Sequence, residues 1–309
     1  MLVLITGATG LVGKEVMNYC RIMDIDVHFL TTSKSKLDSH FPAKGFYWNP
    51  KKGKIDINAF KGVTHIIHLA GASVAKRWTC LYKREILKSR TKSANWLYKT
   101  LKQIDHTVSS FVSASAIGIY SNSATEYYSE GSTHLSDKFL GKVVKSWESA
   151  ADQFSDLKIK VTKFRTGIVL SDREGALPKL LAPIKMYAGT SFGDGEQWQS
   201  WIHVSDLAKM FLFAAENKLE GVYNACAPNP VTQSKLIKNC ADILNKPLWM
   251  PHIPAIVTRI IFGEMSQLLL SSQRVSSNKI RKVGFGFEYP SIEAAIKEIL
   301  QESEVLALQ

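Results

Sequence analysis

The sequence has few cysteines and no long apolar run, and both shortages narrow the class of protein. Its four cysteines, Cys20, Cys80, Cys226 and Cys240, show no C-x-x-C spacing, so neither a disulfide framework nor a zinc cluster is indicated. No apolar stretch approaches the roughly twenty residues that a membrane helix needs. The first strand begins at once, without a basic region and a cleavable apolar stretch. We therefore expect a cytoplasmic protein without a membrane partner.

Arginine-rich runs and zinc-finger spacings are also missing, although the chain is basic. It carries 39 Lys and Arg against 27 Asp and Glu, a formal net charge of +12. This excess either attracts anionic ligands such as nucleotides or serves general solubility. We do not expect nucleic acid as a partner. His65 and His68 would lie on opposite faces of one strand, so we expect no metal site.

What the sequence does carry is a glycine turn at its start. The run Gly7-Ala8-Thr9-Gly10-Leu11-Val12-Gly13 follows apolar residues 2–5 and precedes a helical pattern of Val12, Val16, Cys20 and Met23. Glycines allow a tight turn and let a pyrophosphate approach the unpaired amides of a helix N-terminus. The turn predicts a dinucleotide site formed by Gly7, Thr9, Gly10, Leu11, Val12 and Gly13. The alternative is a glycine-rich turn in an α/β protein that binds no nucleotide.

Strands and helices alternate along the first half of the chain. We predict strands at 27–30, 63–69, 110–116 and 159–164, and helices at 83–101 and 139–154, with a turn-rich stretch around Trp48. A further helix should start at Asp206, capped by Ser205. This order predicts an α/β fold, a Rossmann-type doubly wound parallel sheet with a small C-terminal mixed α/β substrate lobe. Residues 1–175, with return segments from about 200–226, should form the NAD(P)-binding core, and residues 176–309 mainly the lobe.

Ligands of such sheets bind outside the carboxyl ends of the strands, so the residues there are the candidate site. The second strand is followed by Thr31, Thr32, Ser33 and Lys34, without the acid that would bind the ribose of NAD. Hydroxyl groups and a lysine suit a phosphate, so we predict NADP(H) over NAD, unless these lysines are only solvated loop charges. Further predicted cofactor contacts are Leu69, Ala70, Gly71, Arg90 and Arg165, the arginines as ligands of anionic groups.

The chain resembles the extended short-chain dehydrogenases/reductases of the NAD-dependent epimerase/dehydratase superfamily, within it the atypical YfcH-like epimerase subgroup. The resemblance covers nearly the whole chain, and its most subgroup-specific part is the tryptophan-rich stretch. The motifs that carry it are Thr6–Gly13, His68–Ala72, Lys76–Trp78, Ser89–Thr91, Ser113–Gly118, Trp147–Ala151, Arg165–Leu170, Gly195–Asp206, Asn224–Thr232 and Gly284–Pro290. The resemblance implies a dinucleotide cofactor and an activity on a small or nucleotide-linked substrate.

The resemblance also implies a catalytic serine, tyrosine and lysine, the last two in Tyr-x-x-x-Lys spacing on one helix. By position, Ser115 matches the serine. The helix that should carry the dyad begins Phe139-Leu140-Gly141-Lys142 and has no such tyrosine. We name Tyr120 as a substitute, and weigh against it an anchoring role in the core. Lys142, Lys145 and His203 are weaker candidates, each with an ordinary structural role as the alternative.

Two functions therefore stay open at the level of the sequence. The chain is an NADP(H)-dependent oxidoreductase or epimerase, or it is a non-catalytic NADPH-binding regulator that senses redox state. A weaker third idea is a protein-interaction role for the basic surface. Trp78, Trp198 and Trp201 either line a substrate cleft or fill the seam between lobes. The oligomeric state is expected to be a monomer or a homodimer.

Overall fold

The computed structural model describes residues 1–37 and 43–307. Within this part of the chain, most strands belong to one sheet and the later ones form short pairs. The strands are β1 (Leu2–Thr6), β2 (Asp26–Thr31), β3 (Lys44–Asn49), β4 (Lys54–Ile55), β5 (His65–His68), β6 (Ser110–Ala116), β7 (Tyr127–Tyr128), β8 (Lys160–Thr166), β9 (Ile168–Leu170), β10 (Trp198–Gln199), β11 (Trp201–His203), β12 (Gly221–Ala225), β13 (Val231–Thr232) and β14 (Arg274–Val275).

Three helices connect strands of the first half, and seven further described helices, most of them short, belong to the second half. They are α1 (Leu11–Ile22), α2 (Cys80–Leu101), α3 (Phe139–Asp152), α4 (Leu177–Lys185), α5 (Val204–Glu216), α6 (Gln233–Ile243), α7 (Ala255–Phe262), α8 (Gln267–Leu270), α9 (Asn278–Lys282) and α10 (Ile292–Ala307). Among the described helices, none combines the length and the apolarity needed to cross a bilayer.

The main sheet has the order β12-β8-β6-β5-β1-β2-β3-β4 in the described residues. All neighbours pair in parallel except β4, which is antiparallel to β3. The strand order reverses at β1, because the chain first adds strands on one side of it and then adds β5 and its successors on the other. The crevice of a doubly wound sheet opens at such a reversal, here between the carboxyl ends of β1 and β5.

Side chains of the sheet alternate between two hydrophobic layers. Val3 and Ile5 lie in the cluster that includes residues of α1 and α5, whereas Leu4 lies in the cluster with α2 and α3. Helices therefore cover both faces, as predicted, and the Rossmann-type fold is confirmed. A third cluster joins α4, α6 and α10 in the C-terminal part.

Three details differ from the sequence-based predictions. The stretch predicted as turn-rich contains β3, where Phe46 and Trp48 alternate into the core and Tyr47 does not. Ser205 does not cap α5; the Nδ1 atom of His203 accepts the Ser205 amide instead, so the cap lies two residues earlier. Met23 follows the end of α1 and is exposed, so the predicted buried stripe ends at Cys20.

Candidate functional site

The glycine turn joins β1 to α1 and leaves the helix start open to an anion. Gly7 has a φ of +72°, a conformation that favours glycine. A Cβ atom on Gly13 would lie 2.1 Å from the Gly7 carbonyl oxygen, so no side chain fits there. Gly10 caps α1 without a side-chain hydrogen bond, while Thr9 is exposed and Leu11 and Val12 are half-buried. The residues present thus fit a pyrophosphate against the first amides of α1.

Hydroxyl and ammonium groups follow the end of β2. The Thr31 Oγ1 atom accepts the Ser33 amide at 3.2 Å, which bends the chain sharply after the strand. The Ser33 hydroxyl lies 2.8 Å from that of Ser35, and the Lys34 ammonium lies 5.8 Å from the ring centre of Tyr47. Residues 31–37 contain no acid, and Thr32, Lys34 and Ser35 are exposed. This composition can bind a phosphate and offers no carboxylate to a ribose.

A chain of hydrogen bonds fixes the end of β5 against β1. The Thr6 Oγ1 atom accepts the amides of Leu69 and Ala70, both at 3.2 Å, so its own proton points to the His68 Nδ1 atom at 2.8 Å. The His68 Nε2 atom lies 3.1 Å from the Ser93 hydroxyl. Burial lowers the pKa of His68 to about 3, so the ring is neutral. Its Nδ1 atom accepts from Thr6, and its Nε2 atom donates to Ser93. His68 is thus a positioning residue for the 69–70 segment.

Arg90 supports the next residues of the same loop. Its Nη1 atom donates to the carbonyls of Ala72 (3.0 Å) and Ile86 (3.1 Å), and its guanidinium lies 4.9 Å from the ring centre of Trp147. A Cβ on Gly71 would lie 3.2 Å from the Arg90 Cζ atom. Burial lowers the pKa of Arg90 to about 10. The side chain therefore braces the loop at the crevice, and its predicted contact with a cofactor stays a prediction.

The Ser115 side chain belongs to a buried ionic network. Its hydroxyl donates to the Glu148 Oε1 atom at 2.6 Å, and Arg165 holds the same carboxylate through Nε (2.9 Å) and Nη2 (3.0 Å). Burial alone would lower the pKa of Arg165, but Glu148 outweighs it and the pKa is raised. The Arg165 guanidinium is thus bonded to Glu148, and its predicted contact with a cofactor stays a prediction that this geometry does not support. Toward a ligand, the Ser115 hydroxyl can therefore accept a hydrogen bond but not donate one.

Tyr120 belongs to the same network and is only 1% exposed. Its hydroxyl donates to the Asn224 Oδ1 atom at 2.7 Å and accepts from the Arg165 Nη1 atom at 3.1 Å. Burial raises the pKa of Tyr120 to about 12, although Arg165 opposes the shift. A phenol with such partners and such a pKa is anchored in the core, which is the alternative weighed against a catalytic role. The catalytic role of Tyr120 stays an untested prediction, and this geometry does not support it.

The start of α3, where the family motif places tyrosine and lysine, is apolar. Phe139 and Leu140 pack in one cluster with Trp78, Met265 and Leu268, and the Trp78 and Phe139 rings meet edge to face at 5.2 Å. Lys142 and Lys145 on the same helix are exposed. The first three residues of α3, Phe139, Leu140 and Gly141, carry no titratable group that could replace the tyrosine.

The tryptophan-rich stretch packs mainly against the C-terminal part of the chain. Trp201 is fully buried and donates to the Asn229 carbonyl, while Trp198 stacks on the Arg274 guanidinium at 4.4 Å. Because the His203 Nδ1 atom accepts an amide, its Nε2 atom carries the proton, and that atom faces Glu298 at 2.8 Å. His203 borders a cavity of about 160 Å³ beside α1. Burial lowers the pKa of His203 to about 4, as expected for a structural histidine.

Sequence reasoning missed Glu148, Glu130 and Asn224 as members of this buried network. The Asn224 amide donates to the Glu130 carboxylate at 2.8 Å, and its side chain donates to the Ser276 carbonyl at 3.0 Å. One signal was available for Glu148, because it lies at helical spacing on the buried face with Val144 and Ala151. A carboxylate on such a face needs a buried cation. No comparable pattern marks Glu130 or Asn224.

The sheet order, the open glycine turn and the reversal at β1 define a Rossmann-type α/β protein whose crevice fits a dinucleotide. A family model for the NAD dependent epimerase/dehydratase family matches residues 3–226, and one for a domain of unknown function, DUF1731, matches residues 253–299. The chain belongs to the NAD dependent epimerase/dehydratase family. An epimerase family protein of Staphylococcus aureus strain NCTC 8325 is 34% identical over 302 residues, with 97% of this chain and 99% of that protein covered.

Solved structures with the same fold are numerous. Human epimerase family protein SDR39U1 (isoform 2), crystallised with NADPH, has a TM-score of 0.83 at 24% identity, covering 97% of this chain and 99% of that one. MoeE5 in complex with UDP-glucose and NAD has a TM-score of 0.78 at 18% identity, covering 98% of this chain and 100% of that one. At these identities the likeness establishes the fold.

Proposed function

We propose that this chain binds NADP(H) in preference to NAD(H), with the pyrophosphate at the glycine turn and the 2′-phosphate at Ser33 and Lys34. The observation that supports the preference is the hydroxyl and ammonium cluster after β2, which lacks a carboxylate in residues 31–37. The human family member with this fold was crystallised with NADPH, although MoeE5 holds NAD. The predicted contacts of Gly7 to Gly13 and Leu69 to Gly71 belong to the same proposal.

We further propose an oxidoreductase acting on a small molecule, and rank it above an epimerase. When bound, the nicotinamide supplies a hydride donor or acceptor. Epimerisation through oxidation and re-reduction needs a base and an acid in each turnover. A net reduction needs a single proton, which solvent can supply. The single observation that carries this ranking is the apolar start of α3 at Phe139 and Leu140, where the family's proton-transferring tyrosine is absent.

The hydrogen bonds of Ser115 and Tyr120, together with the apolar start of α3, favour a second candidate, a non-catalytic NADPH-binding regulator. Ser115 donates its proton to Glu148, so it cannot also donate to a substrate oxygen while that carboxylate is ionised. Tyr120 is likewise engaged on both sides by Asn224 and Arg165. A chain that kept the cofactor site and lost the chemistry would have this arrangement.

The cofactor preference is tested by fluorescence titration with NADPH and NADH. We expect tighter binding of NADPH, by about tenfold or more, since charge-assisted contacts to the extra phosphate are worth about 1.5–3 kcal/mol. The double variant Ser33→Ala/Lys34→Ala should remove most of this difference and leave NADH affinity unchanged. Lys52→Ala, an exposed lysine on a neighbouring loop, is the matched control. Equal affinities in the unaltered protein would sink the NADP(H) assignment.

Turnover is tested with NADPH that carries deuterium at the transferring position, incubated with a small-molecule fraction of cells. Deuterium in a product together with net oxidation of NADPH supports the oxidoreductase. Conversion of a compound into its epimer with NADP⁺, without a net change in the amount of NADPH, would instead indicate an epimerase. If NADPH binds but neither signal appears, the regulator is the better account. Ser115→Ala should bind NADPH and lose turnover if Ser115 takes part in the chemistry.

A further inference from the structure

The exposed large hydrophobic side chains of the described residues are concentrated in one region. Of sixteen such side chains, nine lie in residues 186–187, 248–250 and 256–261. We refer to these nine as the apolar patch: Met186, Tyr187, Leu248, Trp249, Met250, Ile256, Val257, Ile260 and Ile261. Single exposed hydrophobic residues are ordinary, whereas a contiguous group of this kind marks an interaction surface.

Backbone contacts hold the segments of the apolar patch side by side. The Gly193 amide donates to the Ile253 carbonyl at 2.8 Å, and the Ile253 amide donates to the Ser191 carbonyl at 2.9 Å. The Lys246 ammonium donates to the Tyr187 hydroxyl at 2.8 Å. Residues 187–193 therefore lie along residues 246–253, and α7 begins two residues later. The segments that carry the nine side chains thus lie next to one another.

Helix α7 turns its apolar side chains outward and a polar side chain inward, the opposite of a usual amphipathic helix. Ile256, Val257, Ile260 and Ile261 recur at helical spacing and face outward, and Ile260 is 76% exposed. The polar Thr258 is fully buried, and its hydroxyl donates to the Pro254 carbonyl. A helix on the surface of a globular protein normally turns its apolar stripe to the core. The outward stripe of α7 therefore calls for an apolar medium or partner outside the chain.

The two segments that carry the apolar patch are basic, although the exposed Asp194 and Glu196 follow the first of them directly. Residues 175–193 and 245–263 contain no Asp or Glu, but contain Lys179, Lys185, Lys246 and Arg259. Lys185 and Arg259 are exposed. The first acid after the second segment, Glu264, is already paired with the Lys83 ammonium at 2.8 Å. The partner of this surface should therefore combine an apolar interior with negative charge.

We propose that the apolar patch docks on a phospholipid bilayer that contains anionic lipids. Two copies of the chain meeting through this surface would bring the same cations together, whereas anionic headgroups complement them. Trp249 and Tyr187 are residue types that favour the membrane interface. Exposed side chains of this kind can insert into a fluid acyl layer, which needs no pocket of matching shape. Since no described helix can cross a bilayer, the association is peripheral. It differs from our expectation of no membrane partner and does not depend on the proposed function.

Sedimentation with vesicles tests this proposal on the full-length chain. The protein should pellet with vesicles of phosphatidylcholine and phosphatidylglycerol, and much less with phosphatidylcholine alone. Ile256→Ser/Ile260→Ser should lower the partition coefficient by about tenfold or more, because two apolar anchors are lost. Leu81→Ser is the matched control, since Leu81 is 77% exposed on α2, and it should bind as the unaltered protein does. Circular dichroism melting checks that each variant is folded.

A charge variant separates the electrostatic part of the interaction. Lys185→Gln/Arg259→Gln should weaken binding to the anionic vesicles and reduce its dependence on salt. Lys61→Gln/Lys99→Gln removes two exposed lysines elsewhere and should change neither. The proposal is overturned if the folded protein stays in the supernatant with anionic vesicles, or if Leu81→Ser weakens binding as strongly as the patch variant. It is also overturned if equilibrium sedimentation finds a dimer that Ile256→Ser/Ile260→Ser dissociates.

Discussion

The two halves of the carboxyl edge of the sheet differ in how their polar groups are satisfied. At the glycine turn, the first amides of α1 have no side-chain cap, and no Cβ crowds them. At the ends of β6 and β8, the polar side chains bond to each other. Ser115 and Arg165 share the Glu148 carboxylate, and Arg165 also donates to the Tyr120 hydroxyl. The amides of the first half are open to a ligand, whereas the polar side chains of the second half find their hydrogen-bond partners within the protein.

This difference teaches that the two halves are under different physical constraints. An uncapped helix start is a small cost to stability that a bound phosphate removes. A buried carboxylate and guanidinium, by contrast, are tolerated only as a complete set, because removal of one leaves an unpaired buried charge. We therefore expect changes in the first half to alter ligand binding, and changes in the second half to alter mainly the stability of the fold.

The largest effect is expected from Glu148→Ala. It leaves Arg165 buried without its carboxylate, which should lower the free energy of unfolding by about 3–5 kcal/mol in urea denaturation. NADPH affinity of the folded variant should change little. Glu85→Ala is the control: it breaks an ion pair of similar length, 2.8 Å, but one that is exposed, and should cost about 0–1 kcal/mol. Equal losses for the two variants would contradict the contrast between the halves.

Gly13→Ala should have a smaller effect on stability and a large one on binding. The new Cβ would collide with the Gly7 carbonyl oxygen and force the turn and α1 apart, at a cost of about 1–3 kcal/mol. The displaced amides should no longer hold a pyrophosphate, so NADPH titration should show no saturable binding. Gly131→Ala, whose Cβ would meet nothing within 4 Å, should leave both quantities unchanged. Retained NADPH affinity in Gly13→Ala would remove the glycine turn from the site.

The strand, glycine turn and helix of the open half could be predicted from the sequence, whereas the network of the closed half could not, for a physical reason. A glycine turn between a strand and a helix is a local pattern, so Gly7 to Gly13 could be interpreted without knowing the rest of the fold. The network of Ser115 joins Glu148, Arg165 and Asn224, which only the sheet order brings together. Arg165 at a strand end matched the pattern of a phosphate ligand, but the burial that commits it to Glu148 has no local signal.

The same limit explains the errors in secondary structure. The hydrophobic alternation of Phe46 and Trp48 was short and lay next to Pro50 and a run of lysines, so the turn signals dominated and β3 was missed. The His203 cap of α5 was missed because serine is the more usual N-cap residue.

The smallest effect is expected from Tyr120→Phe, which tests whether any chemistry remains in the closed half. The variant removes one hydroxyl and leaves the Asn224 Oδ1 and Arg165 Nη1 atoms each short of a partner, so it should lose about 1–2 kcal/mol of stability. Because the phenol is buried and its pKa is raised to about 12, its loss should change neither NADPH affinity nor the pH profile of any turnover. Tyr127→Phe, at an exposed ring next along the chain, is the control and should be neutral. If turnover survives Tyr127→Phe but disappears in folded Tyr120→Phe, Tyr120 has the catalytic role after all. The second half of the edge would then be an active site in which Tyr120 replaces the missing tyrosine.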